Sequence, residues 1–156
     1  MDGKGRIVPA GKRVLQCIAE NDLIVGTGHI SAEEGLVVAK EAQKAGVKHV
    51  VITHADNSGD RYTLEEQKEC VSYGAFIEYS YFTVDRKMTP IQDIITGIKE
   101  IGAPHIILST DLGQPDSVYP DIGMNIFIEK LLHYGITEEE LQLMLVINPE
   151  KLLGEG

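Results

Sequence analysis

Four short apolar runs rich in Val and Ile recur along the chain, at about 22–29, 48–54, 75–80 and 105–111. Each is followed by a stretch whose apolar positions return at helical spacing. Runs this short and this continuous in apolarity are expected of parallel strands covered by helices. The helix starts are marked as well. Ser31 with Glu34, Thr63 with Glu66, and Thr89 with Gln92 have the spacing of capping boxes, in which the hydroxyl takes an early helical N–H and the longer side chain reaches back. Pro90 falls where its missing N–H does no harm. The helices run out at Gly46, Gly74 and Gly102, suited to a left-handed closing turn. A helix near 10–20 opens the series, and two more near 122–134 and 137–146 close it, the last with a capping box at Thr137 and Glu140. The pattern predicts an α/β fold: one domain, residues 1–156, of four parallel βα units with extra C-terminal helices.

Connection lengths are asymmetric. The turns from helix to strand are short, whereas three strand-to-helix loops, Ala55 to Tyr62, Phe82 to Met88 and Leu112 to Asp121, are long. Function in βα folds sits on the strand-to-helix side. A closed eight-stranded βα barrel takes about 250 residues. This chain has four strands in 156 residues, the content of half a TIM-type barrel.

Three of the runs end on a metal-ligating residue: His29, His54 and Asp111. Parallel strands ending this way deliver the three side chains to one rim, and the chemistry indicated is metal-assisted hydrolysis. His29 taken alone reads as a hydrogen-bonded structural histidine, but paired with His54 on the next strand it becomes a ligand candidate. Asp111 ends the apolar run Ile106 to Leu108, where a carboxylate is costly to desolvate without a cation or donors; its other reading is a turn-forming Asp before Leu112 and Gly113. Glu78 interrupts the strand at 75–80. Facing inward it could orient a histidine or touch substrate, and facing outward it is a solvated carboxylate. Tyr79 and Tyr81 alternate with Glu78 and Ser80, so only one pair points inward. Gln114, Asp116 and Tyr119 are substrate-contact candidates by location. Asp56, Asn57, Ser58 and Asp60 read as a solvated acidic loop, since the distal Glu of a calcium loop is missing. His49, His105 and His133 read as structural.

The segments TGHIS around His29, VITHAD around His54, LSTDLGQ around Asp111 and the ending INPEKLLG resemble the C-terminal half of a metal-dependent amidohydrolase-superfamily barrel. That group includes phosphotriesterase-like and dihydroorotase-like enzymes, and the likeness is greatest to its uncharacterised members. The resemblance spans nearly the whole chain. It implies that His29 and His54 are metal ligands at the ends of the fifth and sixth barrel strands. GAFIEYSYF would be the seventh strand, and Asp111, ending the eighth, would both bind metal and handle protons. The family's His-x-His on a first strand, and its Lys or Glu bridge on a fourth, are not found and belong to the other half.

The function so implied is hydrolysis of an amide, lactone or phosphoester bond by a metal-activated water. A divalent metal, zinc, would be held by His29, His54 and Asp111, and Glu78 and Gln114 would meet a small-molecule substrate. Three protein ligands leave a fourth position for water. The alternative is a non-catalytic, oligomerising half-barrel, or a fragment without the first-strand ligands. Either way the open strand edges call for a partner, a second copy of the chain or a separately encoded N-terminal half-barrel.

Composition narrows the partners further. With 14 Lys and Arg against 24 Asp and Glu, the net charge is −10, which argues against nucleic acid and anionic membranes. No 18-residue apolar run or export signal is expected to send the chain into or across a membrane. Cys17 and Cys70 lie inside helical patterns and read as buried free thiols of a cytoplasmic protein. GTGHIS has neither the third glycine of a dinucleotide loop nor the Lys of a phosphate loop, so no organic cofactor is expected.

Overall fold

A computed structural model describes residues 1–57, 59 and 61–154; Ser58 and Asp60 of the acidic loop lie outside the described residues. The fold is α/β. Eight α-helices are described: α1 (Pro9–Glu20), α2 (Ala32–Ala45), α3 (Leu64–Ser72), α4 (Tyr81–Asp85), α5 (Ile91–Ile101), α6 (Pro120–His133), α7 (Glu138–Gln142) and α8 (Asn148–Leu153). The strands are β1 (Ile24–Gly26), β2 (His49–Ile52), β3 (Ala75–Ser80) and β4 (Ile106–Ser109), in the sheet order β1-β2-β3-β4. β2 is parallel to β1 and to β3, with Val50 registered on Val25 and on Ala75. No helix among the described residues is long and apolar enough to cross a membrane.

The chain groups into two compact units. The first comprises Met1–Ala55 and Asp60–Ile77, the second Asp56–Gly59 and Glu78–Gly156. In the first, α1 packs on α2 and α2 on α3. Val50 and Ile52 of β2 and Ala75 and Ile77 of β3 are buried, while the alternating His49, Val51 and Phe76 are half-buried. The second unit shows the same alternation: Ile106 and Leu108 of β4 are buried, and Ile107 and Ser109 are half-buried. Because successive side chains point to opposite faces, β2 and β4 each present one covered face and one partly open face, whereas β1, with Ile24 exposed and Val25 half-buried, is covered on neither.

Each unit seats a buried tyrosine against a helical glycine. A Cβ built at Gly35 of α2 would lie 1.8 Å from Tyr62 Oη, and one at Gly97 of α5 would lie 1.9 Å from Tyr79 Oη. Only glycine permits this approach. The Tyr79 phenol is held well above its ordinary pKa by burial and, secondarily, by the negative charge of Asp56.

Several sequence expectations are corrected here. The strands are shorter than the apolar runs, so His29, His54 and Asp111 each lie two or three residues beyond a strand end. The expected loop from Phe82 to Met88 begins instead as α4, and Thr83 Oγ1 lies 2.9 Å from the Ser80 carbonyl within its first turn. Of the four capping boxes, those of Thr63 with Glu66 and Thr137 with Glu140 are complete. Ser31 makes only the forward bond, accepting from the Glu34 amide. Thr89 caps nothing, since its hydroxyl donates to the Asp56 carbonyl at 2.6 Å and Pro90 becomes the N-cap. The closing helix passes through a π-helical segment at Leu143–Ile147 and resumes as α8. Pro149, at the start of α8, has no N–H to donate and its ring crowds the preceding turn. Asn148, fully buried there, donates both amide hydrogens, to the carbonyls of Ala103 (2.8 Å) and Ile106 (2.7 Å), and so fixes the start of β4. Cys70 is buried as expected, with burial pushing its thiol up to about 12, but Cys17 is exposed on α1.

Replacing Gly35 or Gly97 by Ala should destabilise the protein by about 1–3 kcal/mol through overpacking, read by urea unfolding. Adding Tyr79→Phe to Gly97→Ala should recover part of that loss, whereas adding it to Gly35→Ala should not.

Candidate metal site at the strand ends

In the first unit β1 and β2 stay fastened beyond their last regular pair. The Thr27 amide donates to the Val51 carbonyl at 3.0 Å, the Thr53 amide to Thr27 Oγ1 at 3.1 Å, and the Gly28 amide to Thr53 Oγ1 at 3.3 Å. Gly28, at φ +61, then turns the chain. His29 and His54 follow these stitched ends and come together, their ring centroids 4.3 Å apart and their planes inclined by 37°. His29 is exposed, whereas His54 is buried at 5% exposure. The expected convergence of the two imidazoles is therefore present. The threonines that produce it were not singled out in the sequence, although both stand in the strand-end segments TGH and ITH.

His54 has φ +34, in the left-handed region that side-chain-bearing residues enter at a cost, His and Asp more readily than most. Asp111 shares this conformation at φ +50. It belongs to the second unit, two residues after β4, and is exposed. The neighbouring Thr110 carbonyl accepts the Phe82 amide at 3.0 Å, fastening the end of β4 to α4. Gln114 is also exposed, and its amide bonds at both ends: Nε2 donates to the Asp111 carbonyl at 3.2 Å, and Oε1 accepts from the Ser117 hydroxyl at 2.8 Å. Glu78 is half-buried on β3. Because Tyr79 directs its hydroxyl to α5, strand alternation turns Glu78 and Ser80 to the other face.

Asp56 corrects the reading of a solvated loop: it is 4% exposed, its carboxylate accepts from Thr83 Oγ1 and its carbonyl accepts from Thr89 Oγ1. Its burial follows from these two hydroxyls, which a loop composition does not reveal. Asp116 pairs with Arg86 through both carboxylate oxygens at 2.8 Å, and the guanidinium holds the Asp116 carboxyl below its ordinary pKa.

Among the described residues no three His, Cys, Asp or Glu side chains stand together as a finished metal cage. The His29 and His54 rings are neighbours, with centroids 4.3 Å apart, within the span that one ion bonding two imidazole nitrogens at about 2.0–2.1 Å can bridge. Neutral imidazole is a ligand for zinc and other borderline divalent metals.

Comparison with known proteins bears on the same region. Over 171 aligned residues the chain is 29% identical to the phosphotriesterase homology protein of Mycobacterium tuberculosis, in each of two strains. The alignment takes in 94% of this chain and 51% of the relative, so the chain spans about half the length of the curated relatives it matches. Its fold matches the crystal structure of a metallo peptidase from Rhodobacter sphaeroides, solved with a phosphinate mimic of the dipeptide L-Ala-D-Ala. That match has a TM-score of 0.72 at 12% identity, over 96% of this chain and 47% of the other. Its likeness in sequence and fold is to amidohydrolase-like proteins, and the chain belongs to the family of unknown function DUF6282, whose profile matches residues 1–78.

Proposed function

We propose that this chain is the ligand-bearing C-terminal half of a metal-dependent hydrolase barrel, its two units making up one domain of four βα repeats. The observation that carries the reading is the meeting of the His29 and His54 rings at 4.3 Å, with His54 both buried and left-handed. In this reading His29 and His54 hold a divalent metal, zinc, and Asp111 is the third ligand. When bound, such an ion supplies a nucleophile by lowering the pKa of water towards 7.

The chain's own residues would then do the rest. Asp111, a carboxylate, accepts a proton as the nucleophile attacks and returns it to the leaving group. Glu78 borders the substrate on the open face of β3, and Gln114 offers its second amide hydrogen beside Asp111. The bond cleaved is an amide, lactone or phosphoester of a small molecule. The amide and phosphoester options agree with the names of the relatives, a peptidase and a phosphotriesterase homologue.

One observation favours the alternative of a non-catalytic, oligomerising half-barrel. The half-buried Val51, Phe76 and Ile107 leave apolar surface on the open strand faces, and covering such surface recovers about 25 cal/mol per Å². A second copy, or a separate N-terminal half-barrel, would serve. The two readings part on metal content, because the scaffold has no use for an ion.

Purified protein, alone or in its natural assembly, should hold a stoichiometric divalent metal by elemental analysis. His29→Ala and His54→Ala should each weaken zinc affinity by at least about tenfold; a protein that takes up no divalent metal in any assembly would reduce the proposal to its fold. Light scattering at micromolar concentration should show a particle larger than one 17.1 kDa chain. In the active assembly Asp111→Asn, which keeps shape but removes basicity, should lower the rate about 10²- to 10⁴-fold while retaining most of the metal.

A further inference from the structure

Arg86 follows α4 with both terminal nitrogens of its guanidinium engaged. Nη1 and Nη2 donate to the two carboxylate oxygens of Asp116, each at 2.8 Å, and Nη2 also donates to Ser117 Oγ at 3.2 Å. The Ser117 hydroxyl in turn donates to Gln114 Oε1 at 2.8 Å, and Gln114 Nε2 donates to the Asp111 carbonyl at 3.2 Å. Every donor in this chain points the same way, from the cation to the backbone of Asp111. Bonds so aligned polarise one another. The relay is anchored at its far end, since the Arg86 amide donates to the Phe82 carbonyl at 2.9 Å and its guanidinium lies 5.4 Å from the centre of the Phe82 ring.

We infer that Arg86 is a positioning residue, its guanidinium holding the 114–117 turn and, through Ser117 and Gln114, the left-handed backbone of Asp111. The physical need is clear from the conformation. Asp111 at φ +50 has an exposed side chain, and only the neighbouring Leu112 packs, against Gly123 of α6, so polar contacts must help to keep Asp111 in a sparsely populated region. An isolated surface ion pair contributes little, but a two-pronged Arg and carboxylate pair fixes geometry. A lysine at position 86 could not grip both Asp116 oxygens and Ser117 at once.

Two amides of the full-length chain report the turn: Ser117 N–H, bonded to the Gln114 carbonyl at 3.0 Å, and Leu112 N–H, bonded to Thr110 Oγ1 at 3.4 Å. Arg86→Gln should speed hydrogen exchange of both by about tenfold or more, as expected when a coupled polar contact is lost. Exchange within twofold of wild type at both sites overturns the inference. If Arg86→Gln instead lowers the melting temperature of the whole protein, Ser117→Ala decides. It cuts the relay and leaves the ion pair, and should speed exchange at Leu112 without moving the melting temperature; unchanged exchange at Leu112 overturns the inference. A final arm rests on the metal reading above. Ser117→Ala should weaken zinc binding by about tenfold, which a merely structural turn would not do, and unchanged affinity in a zinc-binding wild type overturns the positioning role. If wild type binds no zinc, the metal reading fails by itself and the exchange measurements still decide the relay.

Discussion

The amide of Thr27 reaches the Val51 carbonyl, and the amide of Thr53 reaches the Thr27 hydroxyl. These bonds carry the pairing of β1 and β2 past the point where regular strand geometry stops. Without them the two chains would diverge into their loops at Gly26 and Ile52, and nothing in the strand register would bring residues 29 and 54 together. One last backbone bond and then the Thr27 and Thr53 hydroxyls continue the ladder here. The convergence of the imidazoles, and every chemical statement resting on it, follows from this local extension.

Parallel βα repeats make such devices necessary. In β2, β3 and β4 one strand face is covered, and the packing around them is tight enough to admit Tyr62 and Tyr79 only against glycine. That packing fixes the strands as far as their last buried residue. Beyond it the chain must be held by individual polar contacts: Thr27 and Thr53 for the first unit, Asn148 at the start of β4, and the side chains of Gln114 and Ser117 after its end. A covered core and a polar, locally pinned rim are two separate solutions to the cost of ordering a chain.

This division explains what the amino-acid sequence disclosed. Apolar runs and capping residues act within a few positions, so four strands, the longer helices and the complete boxes at Thr63 and Thr137 were legible, but not α4 or α8. So was the pairing of His29 with His54, because one βα unit separates them. Two of the failures involve partners far apart in the chain. Thr89 abandoned its cap for the Asp56 carbonyl, 33 positions away. Asp56 itself looked solvated because its burial depends on Thr83, 27 positions away. Strand ends were overextended because a Val and Ile run does not tell where a ladder loses its partner, and the π segment went unread before an Asn148 whose two carbonyl partners are distant.

Backbone conformation adds a test of which residues the fold treats as special. Among the described residues, four other than glycine have left-handed φ: Asp22, His54, Lys87 and Asp111. Asp22 and Lys87 are exposed and each lies two residues after a helix end, where a left-handed turn is an ordinary way to stop a helix. His54 and Asp111 follow strands, where no such turn is called for, and His54 is buried as well. Holding a side-chain-bearing residue there costs on the order of 1–3 kcal/mol, and a scaffold whose only task is to associate gains nothing from it. A site that must aim an imidazole and a carboxylate away from the strand direction does gain, because the left-handed turn redirects the side chain at the point where the ladder ends. The positions at which the fold accepts this cost after a strand are two of the three that the metal reading requires, and that coincidence weighs on the side of chemistry.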